Sequence, residues 1–443
     1  MKLLETGKEA IRPYYLRWLY FRLFPERRPG QFTNCWNYDF DRLPGAHSVA
    51  EGVRDERPGI IFLPMNDWHS RFQRTQHLAH SFVRLGYRAL YVNPHFGRQF
   101  ETSPIFDPAH RISALEPDLF EVHPRLTMEP VFHQRSLTAN ETNRVCVAIE
   151  QACQVLRVRR ALQVVSFPVW ARTAALLRER FGFPLVYDCH DELSGFGNVA
   201  AELLDEEHWA LSAADLDVFS SEQLLNDNSA HDRAVGPKSI LLRNGVDAEV
   251  FRPGMATPNL VVYAGALESW FDITAVRKAA EQNPGSRFVL AGRIDEAGLN
   301  TLRRVPNIEF RGELPYSAIP NLIASSRVGM IPFVLNRLTR ATNPIKLYEY
   351  FACGLPVAAT PLPEVEAFGD LVYIGSSPED FSGAVRCALA EDDPRLRARR
   401  REVAENESWR ARANDLLAAL DTMCPGTHGF RPTPGWRDNV RSQ

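Results

Sequence analysis

From residue 59 onward the chain alternates short β-rich apolar runs with helical stretches. The runs GIIFLPM (59–65), RALYVNP (88–94), LQVVSF (162–167), PLVYD (184–188), LDVFSS (216–221) and SILLRN (239–244) predict strands. A second series follows: LVVYAG (260–265), RFVLAG (287–292), IEFRG (308–312), VGMIPF (328–333), LPVAAT (355–360) and LVYIG (371–375). Between them, AEVFRPGMATPN (248–259) carries two prolines, a glycine and small polar residues, and reads as a linker. Strands alternating with helices imply parallel sheets covered on both faces. The pattern therefore predicts an α/β protein of two doubly wound, Rossmann-like domains facing each other. Ligands of such sheets sit at the carboxyl ends of strands, so residues just after strands are the ones to weigh.

One such stretch is NPIKLYEYFACGLPVAATP (343–361). Asn343 and Pro344 read as N-cap and first helical residue, and Gly354 as the stop before a buried strand. The first turn of a helix ordinarily favours acids, because its free amides are positive. Here it carries Lys346, with Arg337 and Arg340 upstream. Cations added to an already positive helix start make a phosphate seat. Glu349, three residues after Lys346, shares its helical face and is placed to accept bonds from two neighbouring sugar hydroxyls. Phosphate plus ribose means a nucleotide; an ordinary surface Lys–Glu pair is the simpler alternative. Other loops of this half match it. Gly265, Gly292 with Arg293, and Gly312 each follow a strand, where a side chain would block the close approach of a ligand.

Composition narrows the class without naming the chemistry. The chain has 443 residues, too many for one core, and is 45% hydrophobic and 24% charged. A net charge of −3 gives no footprint for nucleic-acid binding. Seven cysteines, with no C-x-x-C pair, argue against a disulfide framework and fit a reducing cytoplasm. No apolar run approaches the ~20 residues needed to span a bilayer, and the N-terminus has neither the apolar core nor the cleavage site of a signal peptide. It does hold IRPYYLRWLYFRLFPERR (11–28), whose interleaved arginines and aromatics suit a helix lying at a membrane interface or one packed on its own protein. A cytoplasmic protein, peripheral on the inner face of the membrane if that helix binds lipid, is the expectation.

The order NGVD…F-x-P (244–253), strand-Gly, LAGR, GELPYSAIPNLI and NPIKLYEYFACGLPVAATPLPEV resembles the nucleotide-sugar half of GT-B fold glycosyltransferases. It is similar to the bacterial family 4-like enzymes that build exopolysaccharide and cell-wall glycans. NDWHSRFQRTQHLAHSF (66–82), LVYDCHDELSGF (185–196) and NESWRARANDLLAAL (406–420) resemble the first loop, a mid-domain loop and the returning terminal helix of that group. The resemblance covers residues 58–420 and implies an N-terminal extension (1–50), an acceptor-binding domain (51–250), a nucleotide-sugar domain (251–405), a terminal helix returning to the first domain (406–424) and a loose tail (425–443). It makes Lys346 the diphosphate ligand and Glu349 the ribose ligand, with Asn343, Gly265, Gly292, Arg293 and Gly312 beside the donor. Two departures stand out. The acidic residue usual eight positions before the glutamate is Ala341, and the usual Arg/Lys pair gives way to Glu268, Trp270, Phe271 and Asp272. Trp270 and Asp272 are candidates for the donor sugar.

Sugar transfer needs a departing diphosphate neutralised and a base for the acceptor hydroxyl. VYDCHDELSGF places Asp188, His190, Asp191 and Glu192 directly after a strand, as a catalytic group or as a solvated loop. Likeness to the xanthan glucuronosyltransferase group implies Asp191 as the base, with His190 and Asp67 as competitors. His69, Arg71, Arg74 and Gln76 are expected to bind the acceptor, an arginine holding an anionic group such as a lipid diphosphate. No zinc spacing, GxGxxG or GxxxxGK[ST] occurs. The D-x-D of ADLDVFSS (214–221) lies in an apolar run that reads as strand, so no metal or other cofactor is expected beyond a UDP- or GDP-type sugar as co-substrate. The function expected is transfer of a sugar to a lipid-linked or polysaccharide acceptor. The alternatives are a nucleotide-sugar 2-epimerase of the same fold and a non-catalytic scaffold subunit.

Overall fold

The computed structural model describes residues 53, 55–69, 71–94, 110–126, 133–197, 199–294, 299–425, 427 and 429. The interfacial helix expected over 11–28 and nearly all of the tail expected from 425 lie outside them. The described chain forms two sheets, each with a core of its own.

The first sheet runs in the order β3-β4-β2-β1-β5-β6-β7-β8. Its strands are β1 (Gly59–Leu63), β2 (Arg88–Val92), β3 (Arg111–Glu116), β4 (Leu119–His123), β5 (Ala161–Val165), β6 (Leu185–Cys189), β7 (Leu216–Phe219) and β8 (Ser239–Leu241). All neighbours are parallel except β3 and β4, which form an antiparallel hairpin at one edge. The second sheet, β11-β10-β9-β12-β13-β14, is parallel throughout. It comprises β9 (Leu260–Ala264), β10 (Arg287–Ala291), β11 (Ile308–Gly312), β12 (Val328–Ile331), β13 (Val357–Ala359) and β14 (Val372–Ile374). Every strand expected from the apolar runs is present, within a few residues of its expected ends.

The central strands are buried along their whole length, as strands covered by helices on both faces must be. Residues 252–258 between the sheets hold no helix or strand. The helix Trp409–Met423 crosses back and buries Trp409, Ala413, Leu416 and Leu420 in one cluster with Ile60, Phe62 and Leu78 of the first sheet's layer. The two halves are thus joined at the linker and again by this helix.

The β3–β4 hairpin has no counterpart among the expected strands. Its sequence, RISALEPDLFEVH, is half polar, and one of its strands is the exposed sheet edge. Pro117 and Asp118, the latter at φ 63°, make the two-residue connection. That turn signal between two β-forming runs was available to the eye.

Candidate active site

Lys346 sits in the first turn of the helix Ile345–Ala352, which begins later than its sequence suggests. Pro344 is the N-cap and offers no side-chain acceptor, and no acid lies in the first turn. Asn343, expected to cap the helix and face the donor, is buried instead. Its carbonyl oxygen accepts from the Asn244 backbone (2.9 Å), and its amide donates to the Tyr348 hydroxyl (3.0 Å) and to Glu364 (2.8 Å). It ties the end of the first half, at Asn244, to the second half, and no side chain caps the helix start.

The ammonium of Lys346 lies 4.9 Å from the centre of the Phe333 ring and 5.4 Å from that of Tyr263. No carboxylate comes within ion-pair distance of it among the described residues. Burial pulls its pKa down to about 8, with Glu349 opposing and Arg71 adding to the fall. Glu349, one turn on and buried, is pushed up to about 7 by the same desolvation, against the pull of Lys346. A cation over aromatic faces with no anion beside it is poised for one.

The glycines serve this seat in two ways. A Cβ on Gly265 would lie 3.1 Å from Cε of Lys346, so a side chain there would push the lysine aside. A Cβ on Gly292 would lie 1.7 Å from the Gly265 carbonyl oxygen, so Gly292 permits two strand ends to close on each other rather than contact a ligand itself. Gly312 ends β11, and its carbonyl accepts the Gly292 amide at 2.7 Å. Asp272 caps the helix Ile273–Gln282 through the Ala275 amide (2.8 Å). Trp270 is half-buried and packs on the second core, its carbonyl accepting from the Val334 amide at 2.8 Å. Both are held within their own half.

Across the cleft, Asp191 and His190 follow β6, with His190 Nε2 3.7 Å from the Asp191 carboxylate. Burial pushes the Asp191 pKa up, His190 pulls it back, and Asp188 adds to the rise. His190 Nδ1 lies 3.1 Å from the Asp188 carbonyl. This loop meets the second half directly, Arg337 approaching Glu192 at 3.4 Å, and so does the turn after β7, where Ser221 donates to the Ala341 carbonyl at 2.7 Å. Arg340 is exposed.

The loop after β1 divides its residues between support and presentation. Arg74, 2% exposed, pairs with Asp188, 1% exposed, at 2.9 Å and also donates to Asn244 (3.0 Å). Gln76 is fully buried and donates to the backbone carbonyls of Asp67 and Arg71 at 3.2 and 2.7 Å. Asp67 is buried and accepts from the His69 amide (2.7 Å) and from Asn93 (2.9 Å). These three shape the loop from beneath. His69 is 31% exposed at the surface of the loop, with Nε2 2.9 Å from the buried Glu121. Arg71 reaches across to the second half, where it meets Glu268 at 2.9 Å.

Residues 274–418, a third of the chain that includes Lys346 and Glu349, match the glycosyl transferase-like family profile. TuaH of Bacillus subtilis strain 168, provisionally named a teichuronic acid biosynthesis glycosyltransferase, is 25% identical over 265 residues, 52% of this chain and 67% of that protein. Sucrose-phosphate synthase from Thermosynechococcus elongatus superposes with a TM-score of 0.63 at 16% identity, over 83% of this chain and 99% of that one. Anabaena HepE, solved with UDP and glucose, gives 0.56 at 15% identity, over 83% and 100%. The catalytic domain of Arabidopsis thaliana starch synthase IV, bound to ADP and acarbose, gives 0.60 at 11% identity, over 83% and 99%. The chain has the GT-B fold, and its second half is similar to glycosyltransferases.

Several residues around these groups carried no signal in the sequence. Tyr263 and Phe333, which flank Lys346, are ordinary apolar positions at strand ends. Glu121, in the middle of β4, and Asn93, just after β2, meet under His69, Asn93 donating to Glu121 at 2.5 Å. Asn93 ended an expected strand and could have been weighed by the rule applied to the other strand ends. The two aspartates of the D-x-D spacing are structural. Asp215 accepts the Leu185 amide at 2.8 Å, and buried Asp217 faces Lys238 at 3.4 Å. Among the described residues no group of three or more acids, histidines or cysteines is arranged to hold a metal ion, and no helix is long and apolar enough to cross a membrane.

Proposed function

We propose that this glycosyltransferase moves a sugar from a nucleotide diphosphate to a glycan acceptor of the bacterial cell envelope, polymeric or lipid-linked, without a metal ion. The observation that carries the donor side is Lys346: a half-buried cation at an uncapped helix start, facing no carboxylate among the described residues. Oriented amides and a lysine together favour a diphosphate, and more so as negative charge grows on it during departure. Glu349 accepts from the ribose hydroxyls. HepE, solved with UDP, and TuaH, named for teichuronic acid biosynthesis, support a nucleotide sugar and an envelope glycan respectively.

On the opposite face Asp191 takes the acceptor hydroxyl's proton. Its raised affinity for protons, caused by burial, brings a carboxylate nearer to the strength a general base needs. His190 is close enough to orient it or to share the proton. His69, held by Glu121 at the cleft surface, and the frame beneath it line the acceptor side.

Screening nucleotide sugars by thermal shift tests this reading, since a ligand that binds only the folded state raises the melting temperature by mass action. One UDP- or GDP-sugar should stabilise the protein and be consumed when an envelope glycan is supplied. Conversion of the sugar without any acceptor would favour epimerisation instead. Binding without turnover in any glycan mixture would favour a scaffold role.

A further inference from the structure

Arg71 belongs to the first half of the molecule, yet its guanidinium pairs with carboxylates of the second. Its Nη2 is 2.9 Å from Glu268 Oε1, and its Nε is 3.7 Å from Glu313. The same Glu268 oxygen accepts from Arg293 at 2.6 Å. One carboxylate oxygen therefore bridges two guanidinium groups drawn from opposite halves. Burial makes Lys346 harder to protonate, and the charge of Arg71 adds to that effect. Glu268 thus serves two of the cations of this region, while Lys346 has no ion pair among the described residues.

None of this resembles a fixed structural ion pair. Arg74, three residues on and at the start of the helix Arg74–Arg84, shows what a fixed pair looks like: buried, doubly engaged with Asp188 and closed to solvent. Arg71 is 29% exposed and Glu268 18%. A half-solvated pair of this kind is held by about 1 kcal/mol or less and can be exchanged. A guanidinium matches phosphate as well as carboxylate, with two parallel donors. A diphosphate carries more charge than one carboxylate and would meet Lys346 and Arg71 together.

We propose that Arg71 is a donor ligand supplied by the acceptor half, and that Glu268 holds its place until the diphosphate of the nucleotide sugar displaces it. Binding of the donor then draws the loop after β1 onto the second half. That movement carries His69, two residues away, toward the reacting sugar. Glu268, which repels the diphosphate and competes for Arg71, sets the affinity at which this happens. The inference rests on the donor seat at Lys346.

Calorimetry with UDP and with GDP on the full chain separates the two claims. Taking whichever nucleotide binds, Arg71→Ala should weaken it at least about fivefold, and Glu268→Gln should tighten it by about threefold or more. In the Arg71→Ala background the gain from Glu268→Gln should shrink, which is coupling read from a double-mutant cycle. If Lys346→Ala loses affinity while Arg71→Ala binds like the parent, the donor seat stands and the role of Arg71 is overturned. An effect of Arg71→Ala confined to the KM for the acceptor would overturn it in favour of an acceptor contact. If neither nucleotide binds the parent, or Lys346→Ala binds as well as the parent, the donor seat fails and the inference falls with it. Both side chains are partly solvated and the substitutions leave no buried charge, so the variants should fold; circular dichroism checks that they do.

Discussion

The two halves handle charge in opposite ways. After β1 of the first half, ionic and amide groups are engaged by their own half: Arg74 by Asp188, Gln76 by two backbone carbonyls, Asp67 by Asn93 and the His69 amide. In the second half, Lys346 stands over two aromatic rings with no carboxylate within ion-pair distance among the described residues. A buried pair that is already satisfied fixes shape, whereas a cation left without an anion is a binding site in waiting. One sheet end is a scaffold that positions a loop, and the other is a receptor for charge. The contrast explains why arginines of the same loop have different prospects: Arg74 frames the loop, while Arg71 extends from it.

The largest effect that tests this contrast is on turnover. Asp191→Asn keeps the size of the side chain and removes its basicity, so the rate should fall by roughly 10²–10⁴ with nucleotide affinity unchanged. Retention of most of the rate would move the base to His190 or to Asp67. Next comes stability. Arg74→Ala leaves Asp188 buried without its partner, and should cost about 3–5 kcal/mol in urea unfolding. A loss well under 1 kcal/mol would mean that the acceptor-side frame is not load-sharing as described, and the comparison would lose its first half.

A smaller effect concerns pH. Lys346 is held at about 8 in the folded chain against an ordinary 10.5. Between those values the unfolded chain binds the extra proton, so this lysine makes stability rise as pH increases from about 8 to about 10.5, with no such contribution to the slope below. Nucleotide affinity should run the other way, because the neutral amine no longer attracts the diphosphate. Affinity should fall several-fold between about pH 7 and pH 9 in the parent and stay level in Lys346→Arg, whose guanidinium remains charged. Parallel falls in both proteins would place the titrating group elsewhere.

Both sheets and the order of their elements were legible in the sequence because buried parallel strands are written as near-continuous apolar runs. The β3–β4 edge was not, since a half-exposed hairpin mixes polar with apolar residues and only Pro117–Asp118 marks its turn. The neighbourhood of Lys346 and Glu349 on one helix was legible because three-residue spacing fixes a common face. Asn343 was misread: a residue before a proline at a helix start looks like a cap, but its partners, Asn244, Tyr348 and Glu364, come from separate parts of the chain. The ring of Tyr263, the bridge through Glu268 and the cluster beneath His69 are likewise tertiary facts. Each depends on which strand ends the topology brings together, and no local spacing encodes it.

The account turns on a diphosphate being gripped at residue 346. Isothermal titration of the nucleotide selected by the stabilisation screen, on the parent and on Lys346→Ala, measures this directly. The expected result is a loss of more than about tenfold, ~1.4 kcal/mol or more, with the variant at least as stable as the parent because a poorly solvated charge has been removed. Equal affinities in a folded variant would contradict it.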